Sequence, residues 1–474
     1  MREWICLLLL LGVTVLQSAS LDEADFPGGP NDRTGTATHF DQGWDSTLIM
    51  PLIRSAGFGW IRDEVRWSEI ERRKGQYALP KKTKQWLQDA NRNDLRVILI
   101  LNFSNPIYSD TYDAAAYANA AAWLAKETAD HVDAIEILNE PHNFGFSRYY
   151  GGAWNGRQED GSDAPWIIRY VQLLNGAADA IKKANPKMKV IGLGSVPPSN
   201  FRMLRRGIGL TVDGVVDHPY SFRGMPEHVP YEASEQHIRR DGFATSDGAG
   251  TLSSQLAMYR RELECNKGPR ELWLTEWGFP TYTKLNPLGL FEGVSEIIQA
   301  KYILRRFVEA LALDVVVSVQ YDFRDDGLSA FNPEDNFGLV DFKLRAKPAL
   351  LAVQQMNRFL RDSRPAPLLK ITLGSTPAAG AGPVPSLANE SIRCYAFTRS
   401  DGYLLIALWR AIPAADSQST VHARIAVSSH QIQSLHAVDL LSSTKTAVPF
   451  SSSDDELVVS DFEIHDYPTL LIGR

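Results

Sequence analysis

Short apolar runs alternate with segments of helical periodicity over residues 33–362 of the chain. Apolar runs such as Arg96–Phe103 predict buried strands, and apolar side chains spaced three to four apart, as in Trp166–Ala184, predict helices. Eight such strand–helix units follow one another, from a strand at Thr34–Phe40 to a helix at Ala349–Arg361. This series favours an α/β fold that closes into a (β/α)8 TIM barrel. A doubly wound open sheet is the alternative, but no Gly-rich phosphate loop follows the first strand.

The pattern changes after Pro365. The segment 375–387 is rich in Pro, Gly, Ala and Ser, which is typical of a loop or linker. Short β-like segments lie around it and predict a small all-β domain, a β-sandwich. The predicted divisions are a signal peptide at 1–20, a barrel at 21–362 and a β-sandwich domain at 363–474.

The first twenty residues have the features of a secretory signal. Arg2 precedes an apolar run, Trp4–Leu16, and small residues follow at Ser18–Ser20. An uncleaved anchor is the alternative, although the run is short for a membrane span of about 20 residues. No other apolar stretch is long enough, so we expect a secreted protein, extracellular or periplasmic, with no membrane span in the mature chain.

Composition narrows the possible partners. The net charge of −7 argues against nucleic acid or an anionic membrane as a partner and suits a neutral substrate. Cys265 and Cys394 could form one bridge between the domains or remain free thiols. Nothing along the chain has metal-ligand spacing, so we expect no metal and no cofactor, and we expect a monomer.

Two glutamates stand where predicted strands end. The fourth predicted strand, Ala134–Asn139, leads into Glu140, and the seventh leads into Glu276. Barrel enzymes carry their catalytic groups at this end of the strands. Strands four and seven lie across the barrel from each other, so both carboxyl groups could reach a glycosidic bond between them. Cleavage of that bond requires two carboxyl groups.

The local sequences around these glutamates carry a resemblance. Residues 137–141 (ILNEP) and 274–278 (LTEWG) resemble the two signature strands of the clan A glycoside hydrolases. The resemblance implies that Glu140 is the acid/base, that Glu276 is the nucleophile, and that the configuration is retained. It also implies that Asn139 holds the sugar's 2-hydroxyl group. For Glu140 to donate a proton to the leaving oxygen, we expect its environment to keep it protonated.

Other positions agree with the resemblance. Arg62 matches the clan's arginine near the nucleophile, where its charge would favour an ionised Glu276. His218 and Tyr220 match the His-x-Tyr at the end of strand six, where the tyrosine supports the nucleophile. The region from Tyr321 to Pro348 is similar to the strand-eight region of family 39. Related endo-β-1,3-glucanase families with a barrel and a β-sandwich are also similar.

The chain departs from the family 5 pattern at two places. Strand three ends at Leu101-Asn102-Phe103 where family 5 has a histidine, and strand eight offers Tyr321 or Phe323 where that family has a tryptophan. These departures weaken any transfer of family 5 substrates to this chain.

Aromatic residues in the loops predict a sugar-binding surface. Trp154 lies in the long segment after Glu140, and Trp277 directly follows Glu276. Aromatic rings suit the apolar faces of pyranose rings, so we expect both tryptophans to contact substrate.

These observations predict a retaining glycosidase, endo-acting on an extracellular β-glucan-like polysaccharide. An exo-acting β-xylosidase or β-glucosidase type and a catalytically silent carbohydrate-binding barrel are the alternatives. A metal-dependent barrel hydrolase would need His/Asp clusters at strand ends, where only His39 and His218 lie. We expect the β-domain to brace the last helix of the barrel rather than to bind glycan.

Overall fold

The computed structural model describes residues 26–367, 369–375, 391–417, 419–428, 432–453 and 456–474. Eight parallel strands form a closed barrel with helices between them, and two antiparallel sheets follow. The predicted (β/α)8 barrel with an all-β C-terminal part is therefore confirmed. The predicted signal at 1–20 and all but the first residue of the predicted linker lie outside the described residues.

Strand β1 pairs with both β2 and β8, and this pairing closes the barrel. The barrel strands are β1 Asn31–Ala37, β2 Phe58–Arg66, β3 Arg96–Asn102, β4 Ala134–Ile137, β5 Lys189–Ser195, β6 Gly214–Asp217, β7 Glu271–Leu274 and β8 Ser318–Gln320. The helices are α1 Ser46–Ser55, α2 Trp67–Ile70, α3 Lys81–Arg92, α4 Ala114–Glu127, α5 Phe146–Tyr150, α6 Pro165–Ala184, α7 Pro197–Arg206, α8 Glu235–Asp241, α9 Leu252–Cys265, α10 Glu296–Ala312 and α11 Pro348–Leu360.

Large side chains fill the barrel interior. Trp60 and Trp273 meet edge to face with ring centroids 5.5 Å apart, and Ile98, Ile191 and Val319 pack around them. A second apolar layer packs the outer faces of the strands against the helices. Because the interior is filled, substrate has access only to the carboxyl end of the strands, where the loops form a cavity.

The backbone leaves strand geometry before the catalytic candidates. Strand β4 ends at Ile137, and the next residues include Leu138 with φ +59° and Glu140 with φ +42°. Non-glycine residues seldom adopt positive φ, and such strained positions cluster at functional sites. The turn ends the β-ladder and places Asn139 and Glu140 in the loop above the barrel.

The C-terminal strands form two antiparallel sheets. They are β9 Ser363–Pro365, β10 Ile371–Ser375, β11 Ile392–Arg399, β12 Leu404–Arg410, β13 Val421–Val427, β14 Leu435–Asp439, β15 Lys445–Ala447, β16 Ser451–Ser452, β17 Leu457–Ile464 and β18 Thr469–Gly473. Ile406 and Leu471 of the six-stranded sheet and Ile425 and Val459 of the four-stranded sheet share one core. Cys265 and Cys394 are both free. No helix in the described ranges has the length and apolarity that a bilayer crossing requires.

Helix α10 packs against the β-domain and contacts it through buried side chains. Every residue from Gln299 to Leu311 is buried. The ammonium group of Lys301 lies 2.9 Å from Asp466 of the β-domain. The guanidinium group of Arg305 pairs with Glu227 of the barrel, which also accepts a 2.7 Å hydrogen bond from the indole of Trp409. Buried charges are tolerated only when they are paired, so these contacts tie the β-domain to one orientation on the barrel.

Candidate active site

A cavity of about 660 Å³ opens at the carboxyl end of the barrel. Its volume lies within the range of about 300–1,000 Å³ that is usual for ligand pockets. Seven of the nine residues predicted to act in the site line it: Arg62, Asn139, Glu140, His218, Tyr220, Glu276 and Tyr321. The fold therefore brings most of the predicted site residues onto one continuous surface, although they come from strands that are far apart along the chain.

The carboxylate of Glu276 is held by two donors. Arg62 Nη1 donates to Glu276 Oε2 at 2.8 Å, and the hydroxyl of Tyr220 donates to Glu276 Oε1 at 2.8 Å. Hydrogen bonds to ionised groups are about twice as strong as neutral ones and fix geometry. Both oxygens are thus oriented, and the carboxylate faces the cavity with 12% of its side chain exposed.

Arg62 connects the two sides of the barrel. Its guanidinium group donates to both oxygens of Glu136 at 2.8 and 2.9 Å and to Asn139 Oδ1 at 2.8 Å, besides Glu276. Arg62 and Glu136 are buried. Glu136 therefore serves as the counter-charge of the arginine inside the barrel.

Glu140 lies in a hydrogen-bonded chain with His218 and Thr275. His218 Nδ1 is 2.9 Å from Glu140 Oε1, and His218 Nε2 is 3.0 Å from the hydroxyl oxygen of Thr275. Burial alone raises the pKa of Glu140, but the hydrogen bond and positive charge of His218 lower that pKa to about 2. The lowered pKa of Glu140 contradicts the expectation that the environment keeps it protonated, and the raised pKa of His218 favours a proton on the imidazole.

The two carboxylates are close together. One oxygen of Glu140, one oxygen of Glu276 and a ring nitrogen of His218 all lie within 4.8 Å of one another. Retaining glycosidases hold their two carboxyl groups about 5–5.5 Å apart, and inverting ones about 6.5–9.5 Å apart. The nearest oxygens of Glu140 and Glu276 are closer together than the inverting spacing and agree with the shorter one.

Two predicted substrate contacts lie away from the cavity. Trp277 is 1% exposed, packs its ring against Phe307 and donates its indole N–H to Ser318. Trp154 is exposed at 40%, but it lies over the guanidinium group of Arg240 and does not line the cavity. The position of Trp277 corrects its predicted role, because a ring buried on the helical side of β7 cannot stack on a sugar.

The cavity also contains polar groups that the sequence analysis did not place among the site residues. His39, Asp326 and Glu334 line one wall together with Tyr321, whose hydroxyl donates to Glu334 at 3.0 Å. His39 follows strand β1, and the sequence analysis considered it only as one of too few residues for a metal site. Asp326 and Glu334 lie in the long loop after β8, too far from the strand end for their position to mark them.

The ion pair of Glu140 and His218 predicts a pH-dependent contribution to stability. The lowered pKa of Glu140 stabilises the fold above its ordinary value of 4.5, and this stabilisation is lost as the pH falls towards 2. Burial lowers the pKa of His218, but Glu276 and the hydrogen bond with Glu140 raise it above its ordinary 6.5, so its contribution is lost as the pH rises past that value. We expect the melting temperature of wild type minus that of Glu140→Gln to be largest between these two values.

This expectation can be measured by thermal melts from pH 2 to 9. His218→Asn is the reciprocal control, since removing either partner should give the same pH dependence relative to wild type. A difference in melting temperature that stays constant across the range would contradict the ion pair.

The sequence matches no family model and no curated protein. The structure is similar to a family 39 glycoside hydrolase from the gut symbiont Bacteroides cellulosilyticus WH2, with 21% identity and a TM-score of 0.66 over 94% of this chain and 81% of that one.

Two further similar structures are at 14% identity. One is the catalytic domain of the family 30 xylanase C from Talaromyces cellulolyticus, with a TM-score of 0.54 over 95% of this chain and 98% of that one. The other is a monomeric β-xylosidase from Caulobacter crescentus CB15, with a TM-score of 0.51 over 94% of this chain and 97% of that one. At these identities the similarity shows that this chain shares its fold with glycoside hydrolases of families 39 and 30.

Proposed function

We propose that this protein is a glycosidase that cleaves β-linked glycans with retention of configuration. The observation that carries the proposal is the pair of carboxylates, Glu140 and Glu276, whose nearest oxygens lie within 4.8 Å at the carboxyl end of the barrel. The orientation of Glu276 by Arg62 and Tyr220 supports it, and so does the fold shared with glycoside hydrolases.

The chemistry proceeds in two displacements. In the first, a Glu276 oxygen forms a bond to the anomeric carbon while the bond from that carbon to the leaving oxygen breaks, and Glu140 gives that oxygen a proton. In the second, Glu140 accepts a proton from water, and the water oxygen displaces Glu276 from the anomeric carbon. Two inversions at one carbon retain its configuration, and every group returns to its starting state.

His218 supplies the proton that this mechanism needs. The lowered pKa of Glu140 and the raised pKa of His218 favour a proton on His218 Nδ1, which lies 2.9 Å from Glu140 Oε1. A leaving oxygen that hydrogen-bonds to Glu140 draws the proton along this short path as its negative charge develops. Thr275 holds the other ring nitrogen and keeps the imidazole in line.

We further propose an extended, extracellular β-glucan-like polysaccharide as substrate and endo-acting cleavage. Phe144, in the loop that follows Glu140, lines the cavity and is 48% exposed, and Leu290, in the loop after β7, lines it and is 58% exposed. Exposed apolar side chains on two rims suit sugar rings on either side of the cleaved bond. Secretion of the mature chain is part of this proposal and rests on the apolar run at Trp4–Leu16.

An exo-acting β-glycosidase is the second candidate. Tyr321, Glu334 and Asp326 concentrate polar groups on one cavity wall. Such groups could bind the hydroxyls of a terminal sugar and close that end to a longer chain. The structural neighbours include both a protein named a xylanase and one named a β-xylosidase, so the fold suits either mode.

The first test compares wild type with Glu140→Gln and Glu276→Gln on β-glucans, xylan, mannan and bacterial exopolysaccharides, with reducing-end release as the readout. Release by wild type alone would support both glutamates and identify the substrate class. If neither polymers nor aryl β-glycosides are cleaved, the proposal fails in favour of a silent carbohydrate-binding barrel.

A product profile over time separates the two modes of cleavage. Oligosaccharides of mixed length at early times are expected for endo-action. Monosaccharide as the sole product from the first time point would contradict it and favour the exo-acting alternative.

A further inference from the structure

Three potential metal ligands meet on the cavity wall opposite the acid/base. Asp326 Oδ1 lies 2.8 Å from His39 Nδ1, and Asp322 Oδ2 lies 3.8 Å from the same nitrogen. All three ligand atoms lie within 4.8 Å of one another. We call His39, Asp322 and Asp326 the His39 cluster. Metal-ligand spacing along the sequence could not reveal it, because His39 and Asp326 are 287 residues apart.

Asp322 is the member that requires an explanation. Its side chain is fully buried, and neither carboxylate oxygen has a hydrogen-bond partner among the described residues. The oxygen Oδ2 faces His39 at a distance too long for a hydrogen bond. A buried carboxylate without a donor is costly, and nearly all such groups in folded proteins are satisfied by a partner, a water or an ion.

The other two members are fixed in place and accessible. Trp44 donates its indole N–H to Asp326 Oδ1 at 3.2 Å, which holds that carboxylate towards His39. The side chains of His39 and Asp326 are 13% and 23% exposed, and both line the cavity. A ligand bound by the cluster would therefore be reached from the cavity, with Asp322 behind it.

The donor set and its spacing suit a divalent cation. Bonds of about 2.0–2.2 Å place neighbouring ligand atoms of a tetrahedral site roughly 3.3–3.6 Å apart, so separations of 2.8 and 3.8 Å need only small side-chain shifts. One imidazole and two carboxylates favour first-row transition cations over Ca²⁺, which prefers an all-oxygen site. The alternative to a cation is a proton on His39 Nδ1. That proton would serve Asp326 at 2.8 Å but would leave Asp322, at 3.8 Å, without a close donor.

We propose that the His39 cluster binds one divalent first-row transition cation, of which Zn²⁺ and Mn²⁺ are the test cases. Three protein ligands leave coordination positions free on the cavity side. There a pair of hydroxyl groups of a bound sugar could complete the shell. The cation would thus form part of the substrate-binding wall, outside the bond-breaking pair of Glu140 and Glu276.

The test measures metal binding by the full chain without any turnover, so it is independent of the proposed glycosidase activity. Protein stripped with a chelator is titrated separately with Zn²⁺, Mn²⁺ and Ca²⁺ at neutral pH, by calorimetry and by thermal melts. We expect one Zn²⁺ or Mn²⁺ per chain, a higher melting temperature with metal, and weaker binding of Ca²⁺.

Variants locate the site. Asp322→Asn and His39→Gln should weaken binding by about 100-fold or more, since even changes to outer-shell groups cost about 10–100-fold. Glu276 belongs, with Glu140 and His218, to a second group of potential metal ligands, so Glu276→Gln tests whether the metal binds there instead. Glu334→Gln tests whether the metal is attracted unspecifically to the acidic cavity wall. Both controls should bind metal as wild type does.

Several outcomes would overturn the proposal. They are the absence of binding by wild type, binding lost in Glu276→Gln but kept in Asp322→Asn, and equal weakening in all four variants. Should Asp322→Asn fail to fold, His39→Gln on the accessible side of the cluster decides the question.

Discussion

Replacing Glu276 with glutamine is expected to lower kcat on the best β-glycan substrate by on the order of 10⁴-fold or more. The amide cannot attack the anomeric carbon, so the first displacement has no nucleophile. It also places an N–H₂ group opposite Arg62 or Tyr220, both of which donate to the native carboxylate. The fold should persist, because Arg62 keeps its two bonds to Glu136.

The matched comparison uses the variants Glu276→Ala and Glu140→Ala with an activated aryl β-glycoside. Azide is added to each variant as an external nucleophile that can restore turnover. In Glu276→Ala, azide takes the place of the nucleophile, and one displacement gives the α-glycosyl azide. In Glu140→Ala, Glu276 still forms the glycosyl-enzyme, and azide then gives the β-glycosyl azide. Glycosyl azides of one configuration from both variants would contradict the assigned roles, and unchanged kcat in Glu276→Gln would contradict the mechanism.

The two glutamates could be predicted from sequence because each follows an apolar strand directly. The barrel fold places all strand ends at one face, so a local signal sufficed to bring Glu140 and Glu276 together. The protonation state of Glu140 could not be predicted from a local signal. It depends on the His218 imidazole, 78 residues away, and only the folded arrangement shows that contact.

Aromatic side chains could not be assigned from sequence. Trp277 follows the nucleophile candidate as a substrate platform would, yet it turns to the helical layer and packs on Phe307. Phe144 is exposed in the cavity, whereas Phe146, two residues later, is buried. A loop's aromatic content predicts a site, but which rings face it depends on tertiary packing.

Strand limits were predicted less well than strand identity. The apolar run Val315–Phe323 predicts the eighth barrel strand from the sequence, but β8 covers only Ser318–Gln320. Val315 and Val317 before it and Phe323 after it are buried as well, so the apolar run extends beyond the hydrogen-bonded ladder. Apolar periodicity reports burial, and burial continues into the loops that cover the barrel ends.

The buried ion pair of Arg305 and Glu227, which lies beneath the β-domain, is expected to contribute strongly to stability. Replacing Arg305 with methionine should lower the free energy of unfolding by about 3–5 kcal/mol, because it leaves the fully buried Glu227 without its counter-charge. Trp409 would still donate to Glu227, but one neutral donor cannot balance a buried carboxylate. Denaturant titration of both proteins measures the difference.

The exposed pair of Arg239 and Glu235 provides the control. Their side chains are 81% and 95% exposed, so Arg239→Met should change stability by less than about 1 kcal/mol. Equal effects of the two substitutions would show that α10 does not depend on its buried charges.

The same contacts predict what removal of the β-domain does. A chain that ends near Arg361 would expose Lys301 and Arg305 of α10 without Asp466 and Trp409, together with the apolar side chains that cover Trp409. Such a chain should be insoluble or unfolded, as a brace requires. A soluble and fully active truncated protein would contradict the bracing role. That result would mean that the charged contacts of α10 only orient the β-domain, because the barrel alone would hold Tyr220 and Glu276 in place.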